Sequence, residues 1–94
     1  MTVRFTLRQL EYFVAVGEAG SIAQAAERVN VSSPSISAAI VQLENEFGLS
    51  LFVRRHAQGL ALTQSGRQLM EQARNVLGQT EALNRQAIDL SGTV

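Results

Sequence analysis

Residues 31–48, reading VSSPSISAAIVQLENEFG, constrain the fold of this 94-residue chain more than any other stretch, because they carry a helix marked at both ends. Ser33 is placed to cap it by accepting from an orphan backbone N–H, and Pro34 then falls at the first helical position, where its fixed φ and missing N–H do no harm. Gly48 suits a left-handed stop. Between those ends Ile36, Ile40, Leu43 and Phe47 are spaced four, three and four apart, which puts them on one helical face. The opposite face carries Ser35, Ala38, Gln42 and Asn45. It is small, polar and uncharged, so a flat partner can approach it closely.

The preceding segment predicts a second, short helix with Ser21 as its cap, Ile22, Ala25, Ala26 and Val29 as its buried stripe, and Asn30 as a left-handed stop. Two short helices joined by a few residues, with Ala26, Val31 and Ile36 at five-residue intervals, form a helix-turn-helix pattern. Alanine lets the helices cross closely, while Val31 and Ile36 fill the angle between them. A bent helical hairpin of no special function has the same periodicity, and the five-residue register favours the DNA-binding form. Ahead of this pair, Leu7, Leu10, Phe13, Val14 and Val16 recur at helical spacing after Thr6, with Gly17 or Gly20 at the exit. This first helix is scaffold, and Tyr12 on it reads as a half-buried core aromatic.

Beyond Gly48, Leu49, Leu51 and Val53 alternate on one side of a Gly-containing turn, and Leu60 and Leu62 on the other. That predicts a short two-stranded hairpin, a wing, whose tip holds Arg54, Arg55, His56 and Gln58. Four hydrogen-bond donors on one tip suit phosphate or minor-groove contact, although surface loops are polar anyway.

Thr63 caps a last helix that runs to about Leu90, weakened only by Gly66 and Gly78. From Leu62 at its lead-in, Gly66, Leu69, Ala73, Val76, Thr80, Leu83, Ala87 and Leu90 follow at alternating steps of four and three. A seam of period 3.5 asks for a partner helix, and its small alternate layers predict an antiparallel or tightly packed helix pair across a two-fold axis. The alternative is a helix packed on its own domain.

Composition excludes more than it identifies. Ninety-four residues allow one domain, burying roughly 60 to 65% of its unfolded surface. With no cysteine and a single histidine, His56, neither disulfides nor a metal site are expected. A catalytic site needs convergent titratable groups, and Glu44 and Glu46 point about 200° apart on their helix, so no enzyme is expected. No apolar run is long enough for a signal peptide or a membrane span, which makes a cytoplasmic protein the expectation. Eight arginines and no lysine balance eight carboxylates, with residues 1–70 at +1 (six arginines, five glutamates) and residues 71–94 at −1 (two arginines, three acids). Any field that attracts DNA must therefore be local.

Taken together, Leu10-Glu11-Tyr12-Phe13, Ser21 with Ala25-Ala26, Val31-Ser32-Ser33-Pro34 with Ser37 and Ile40, Leu43-Glu44 with Gly48, Leu51-Phe52 with Arg54, and Leu62-Thr63 with Gly66 resemble the N-terminal DNA-binding domain and linker helix of the LysR-type bacterial transcriptional regulators. The resemblance covers nearly the whole chain. It implies a winged helix-turn-helix whose third helix enters the major groove, a linker helix that dimerises, and a ligand-sensing domain beyond residue 94. By position, the family's DNA contacts fall on Ser33, Pro34, Ser37 and Ala38, with Arg54 in the wing. Two positions depart from the pattern: Ala38 stands where many relatives have arginine, and Ser33 where many have glutamine. An arginine–guanine pair is worth about 1–3 kcal/mol of discrimination, so its absence shifts reading to Ser35, Ser37, Gln42 or contact with thymine methyls.

The expectation is a mainly α fold: a winged helix-turn-helix of three-helix core and two-stranded wing over residues 1–62, a linker and dimerisation helix over 63–90, and at 91–94 the start of a hinge to an effector-binding domain. The candidate DNA surface is Ser32, Ser33, Pro34, Ser35, Ser37, Ala38, Gln42, Arg54, Arg55, His56, Gln58 and Arg4, and the dimer surface is the seam from Leu62 to Leu90. The expected partners are double-stranded DNA, read as an imperfect palindrome, and a second copy of the chain, with tetramers open. A small-molecule effector acts only through the further domain, and no cofactor is expected. The competing reading is a helical dimerisation or interaction module without specific DNA readout.

Overall fold

In the computed structural model, which describes residues 2–56 and 59–92, the chain forms α1 (Leu7–Ala19), α2 (Ile22–Val29), α3 (Ser33–Phe47), β1 (Phe52–Arg55), β2 (Gly59–Leu62) and α4 (Gln64–Leu90). The first three helices close around Phe13, Val16, Ala25, Ile36 and Leu43, all fully buried. The turn between α2 and α3 is closed by the Val31 N–H, which donates to the Ala26 carbonyl at 3.1 Å. Val31 then packs, half-buried, against the same cluster as Ala26 and Ile36, as the five-residue register predicts.

Helix ends follow local chemistry. Thr6 and Gln9 form a reciprocal capping box on α1, which ends at Gly20 with φ of 77°. Ser21 caps α2, and Asn30 ends it with φ of 60°. The cap of α3 is Ser32, not Ser33: the Ser32 hydroxyl accepts from the Ser35 N–H at 3.2 Å, and Pro34 sits one position deeper in the first turn. Proline fits there equally well because the N–H groups of the first turn have no intrahelical partner.

The wing departs from the expected alternation by one residue. Pairing begins at Phe52, in the register Phe52 with Leu62 through Arg55 with Gly59, so Leu49 and Leu51 lie outside the strand. Leu51 is fully buried, whereas Val53 is 46% exposed, and Phe52 turns inward to meet the Phe13 ring edge-on at 5.7 Å. The phase shifts because Leu49 is still tied to α3, its N–H donating to the Glu44 carbonyl at 3.2 Å.

Four hydrogen bonds bolt the wing and its lead-in to the helices and their caps. The Leu51 N–H donates to Glu44 Oε2 on α3 at 2.8 Å. The Leu51 carbonyl accepts from the Thr63 N–H at 3.0 Å, while the Thr63 hydroxyl donates to the Ser50 carbonyl at 2.7 Å and accepts from the Gly66 N–H to cap α4. On β2, the Leu60 N–H donates to the Gly20 carbonyl at 3.0 Å.

The 27 residues of α4 make a rod of roughly 40 Å. Its first half packs on the chain's own core, where Gly66, Met70 and Ala73 are buried and Leu69 and Leu77 half-buried. The expected seam is therefore divided. Leu62 belongs to β2, and Gly66, Leu69 and Ala73 already face this chain's core, whereas Val76 (41%), Leu83 (66%) and Leu90 (79%) are exposed. The close approach that small residues permit is used first within the protomer: a Cβ at Gly66 would overlap the Leu51 carbonyl.

Because that obstacle is backbone, Gly66→Ala is expected to destabilise the fold by about 1–3 kcal/mol. Gly78, with open space around it, should gain about 0.5–1 kcal/mol as alanine. Urea denaturation of both variants checks this, and shifts of the same sign would contradict the assigned packing. Glu44→Ala strands a part-buried N–H and should cost about 1–3 kcal/mol. It should also speed hydrogen exchange at the Leu51 amide ahead of the α2 amides, and unchanged exchange there would rule out the Glu44 bond.

Candidate nucleic-acid interface

The exposed face of α3 is built by exclusion. Burial of Ile36, Ala39, Ile40 and Leu43 leaves Ser33, Pro34, Ser35, Ser37, Ala38 and Gln42 exposed, with the cap Ser32 ahead of them. At 100° per residue, Ser37, Val41 and Glu44 lie on the flank toward the wing, Ala38 stands in the middle, and Gln42 and Ser35 lie on the flank toward α1. No side chain on α3 carries a positive charge. Its surface can offer hydroxyls, amides and methyls for close contact, while any charge must come from elsewhere.

The wing supplies that charge. An open cleft of about 260 Å³ separates α3 from the hairpin, and Ser37, Val41, Glu44, Phe52, Arg54 and Leu60 line it. The structure thus brings Arg54 beside Ser37. Arg55, the next residue on β1, projects from the other face of the hairpin, since successive strand residues alternate. Both arginines and His56 are exposed, and Gln58 lies outside the described residues.

Two expected contact residues are placed differently from the rest. Arg4 is exposed but precedes Phe5, whose ring packs on Phe47 at 5.3 Å. That anchors the N-terminal segment at the far end of α3, about 20 Å of helix from Ser33, so Arg4 is not gathered with the others. Gln42 is exposed on the expected face, yet its Oε1 accepts from Gln9 Nε2 at 3.0 Å. Gln9 in turn accepts from the Thr6 N–H at 2.9 Å, which ties α3 to the capping box of α1.

Sequence reasoning missed three positioning groups. Gln9 carried a signal as the N3 partner of Thr6, but nothing in its spacing pointed 33 residues ahead to Gln42. Glu44 was visible as part of the Leu43-Glu44 anchor of the resemblance and as a carboxylate that cannot pair with Glu46, but nothing in the sequence pointed to its bond with the Leu51 N–H. Glu18 bridges Arg28 on α2 at 3.3 Å and Arg74 on α4 at 3.0 Å, joining three helices. That network also occupies two of the eight arginines away from α3 and the wing. Among the described residues no group of three or more His, Cys, Asp or Glu could hold a metal ion, and no helix is long and apolar enough to cross a membrane.

Comparison with known proteins agrees with this geometry. The chain is 46% identical over 74 residues to the HTH-type transcriptional regulator ClcR of Pseudomonas putida, a match covering 79% of this chain and 25% of ClcR. It is 40% identical over 89 residues to XapR of Escherichia coli K12, covering 87% of this chain and 30% of XapR. It thus spans about a quarter to a third of the length of the curated relatives it matches. Among solved structures, the DNA-binding domain of CbnR in complex with DNA superimposes with a TM-score of 0.86 at 37% identity, covering 93% of this chain and 99% of that one. The BenM domain bound to benA site 1 DNA does so with a TM-score of 0.86 at 28% identity, covering 96% of this chain and all of that one. The family profile described as "Bacterial regulatory helix-turn-helix protein, lysR family" matches residues 7–67, more than half of the sequence, and the chain belongs to that family.

Proposed function

We infer that this chain is the DNA-binding module of a bacterial transcriptional regulator, which recognises a specific duplex sequence as a dimer. The observation that carries this reading is the pairing of α3 with the wing: Ser37, Val41 and Glu44 of α3 and Arg54 of the wing border one cleft, beside an exposed helix face of small residues without positive charge. The helix face can enter a major groove without steric obstruction, and the arginines can neutralise the flanking backbone. Phosphate contacts by Arg54 and Arg55 then supply affinity, and Ser33, Ser35, Ser37, Ala38 and Gln42 supply base reading. The work is binding, not catalysis, in keeping with relatives named as transcriptional regulators, and it takes place in the cytoplasm where the promoter is.

Dimerisation falls to α4. Its exposed Val76, Leu83 and Leu90 continue the 3.5-residue seam past the part that packs on the protomer. Beside Val76 an apolar cleft of about 210 Å³, walled by Phe5, Phe47 and Leu69, gives a second copy's helix a place to seat. Two copies on one axis read half-sites about one helical turn apart or more. In this division residues 1–62 read DNA, 63–90 pair the copies, and 91–94 lead toward an effector-binding domain, a layout supported by relatives about three times as long. A helical interaction module without DNA readout fits poorly with neighbours solved in complex with DNA.

Fluorescence anisotropy on duplex DNA tests the division of labour. Arg54→Ala should weaken binding to every sequence and, because each copy of the dimer loses one phosphate contact, reduce the log–log salt slope by about two. A slope equal to the parent's would take Arg54 off the backbone. Leu83→Asp should leave the fold intact, convert the dimer to a monomer in sedimentation, and lower DNA affinity by about 10²-fold or more through lost bivalency. A variant that still sediments as a dimer would move the interface off the exposed half of α4.

A further inference from the structure

The amide of Gln42 is oriented by a residue that stands on another helix. A backbone N–H can only donate, so the atom of the Gln9 amide that faces the Thr6 N–H, 2.9 Å away, is its oxygen. The Gln9 nitrogen therefore points at α3, and the atom it meets on Gln42 at 3.0 Å must accept, which makes that atom Oε1. One backbone donor thus settles two amide orientations in series. With Oε1 directed at Gln9 and one of its two lone pairs engaged there, the Gln42 group left for the exposed face is its NH2, with two donors. One turn earlier on the same face stands Ala38, whose methyl leaves room for the Gln42 amide to be reached.

We propose that Gln9 is a positioning residue that holds Gln42 as a hydrogen-bond donor toward the major groove, so that α3 reads guanine, whose N7 and O6 both accept, at one position of each half-site. The inference rests on α3 being the major-groove helix, as argued above. It assigns part of the base preference to a residue of α1, outside the proposed reading helix, and it supplies an uncharged donor in a helix that has no arginine or lysine. If Gln42 were free to turn, its amide would meet donors and acceptors alike and discriminate little.

The test is selection from a randomised duplex pool at one salt concentration, with the parent chain, Gln9→Glu and Gln42→Glu compared. Gln9→Glu keeps the capping box, because a carboxylate also accepts from the Thr6 N–H and suits the first turn of a helix. It can no longer donate, so Gln42 must turn its NH2 toward the new carboxylate and its oxygen toward the groove. The parent should enrich guanine at one position per half-site by about tenfold over the other bases. In Gln9→Glu that position alone should change to a base with an amino donor, cytosine or adenine. Gln42→Glu presents acceptors without touching α1 and should change the same position in the same direction, with thermal melting checking that both variants fold.

A Gln9→Glu chain with the parent's preference at every position, or one weakened uniformly across sequences, would overturn the inference and leave the DNA reading in place. So would a change in Gln42→Glu that Gln9→Glu does not reproduce, since Gln42 would then read bases without being oriented by Gln9. A parent chain that enriches no sequence would overturn both.

Discussion

The peptide at Leu51 is the point on which the rest of the molecule depends. Its side chain is fully buried, its N–H is held by the Glu44 carboxylate of α3, and its carbonyl is held by the Thr63 N–H at the start of α4. Gly66 lies so close under that carbonyl that no side chain fits between them. One residue therefore joins α3, the wing and α4, and fixes how each stands to the others. Part-buried backbone groups that lose their partners cost more than exposed ones, which makes this junction stiff where a simple linker would bend. Stiffness matters functionally, because a wing arginine meets a phosphate at the right register only if its distance from α3 is constant.

The proposed interface separates the groups that would supply affinity from those that would supply specificity. α3, the helix proposed to read bases, carries no positive charge, and the exposed arginines of the wing sit on the neighbouring hairpin. Arg28 and Arg74 are drawn into the Glu18 network, where each exposed pair contributes little alone but the shared carboxylate links α1, α2 and α4. The chain's zero formal net charge is thus compatible with a nucleic-acid surface, because the balance is struck by placing acids away from the α3–wing cleft or, for Glu44, by spending the carboxylate on a backbone N–H. Such a surface should associate by short-range fit more than by long-range steering.

Much of this was legible in the sequence, for physical reasons that differ by element. Thr6, Ser21, Asn30 and Gly48 mark helix ends through local chemistry, and local chemistry is what a sequence displays. The Ala26, Val31 and Ile36 register was legible because crossing helices allow few side-chain sizes. Errors appeared where two local solutions were equivalent or where distant contacts chose between them. Adjacent serines at 32 and 33 cap equally well on paper. The strand phase was misread because Leu49 remains bonded to Glu44, a tertiary constraint on a segment whose alternation looked regular. The seam on α4 was read as one surface, yet its first half is spent on the protomer's own core, and periodicity alone cannot tell an internal neighbour from a second chain. The Gln9–Gln42 bond spans 33 residues between polar side chains, and no pattern announces it.

The central claim is that two copies of an α3–wing unit read DNA together. Its most direct test is to select duplexes bound by this 94-residue chain from a random pool while its mass in solution is measured at the same concentration. The account predicts a dimer that enriches a two-fold-symmetric sequence with half-sites one helical turn apart or more. A chain that remains monomeric, or a dimer whose bound pool shows no symmetry and no enriched bases, would contradict it.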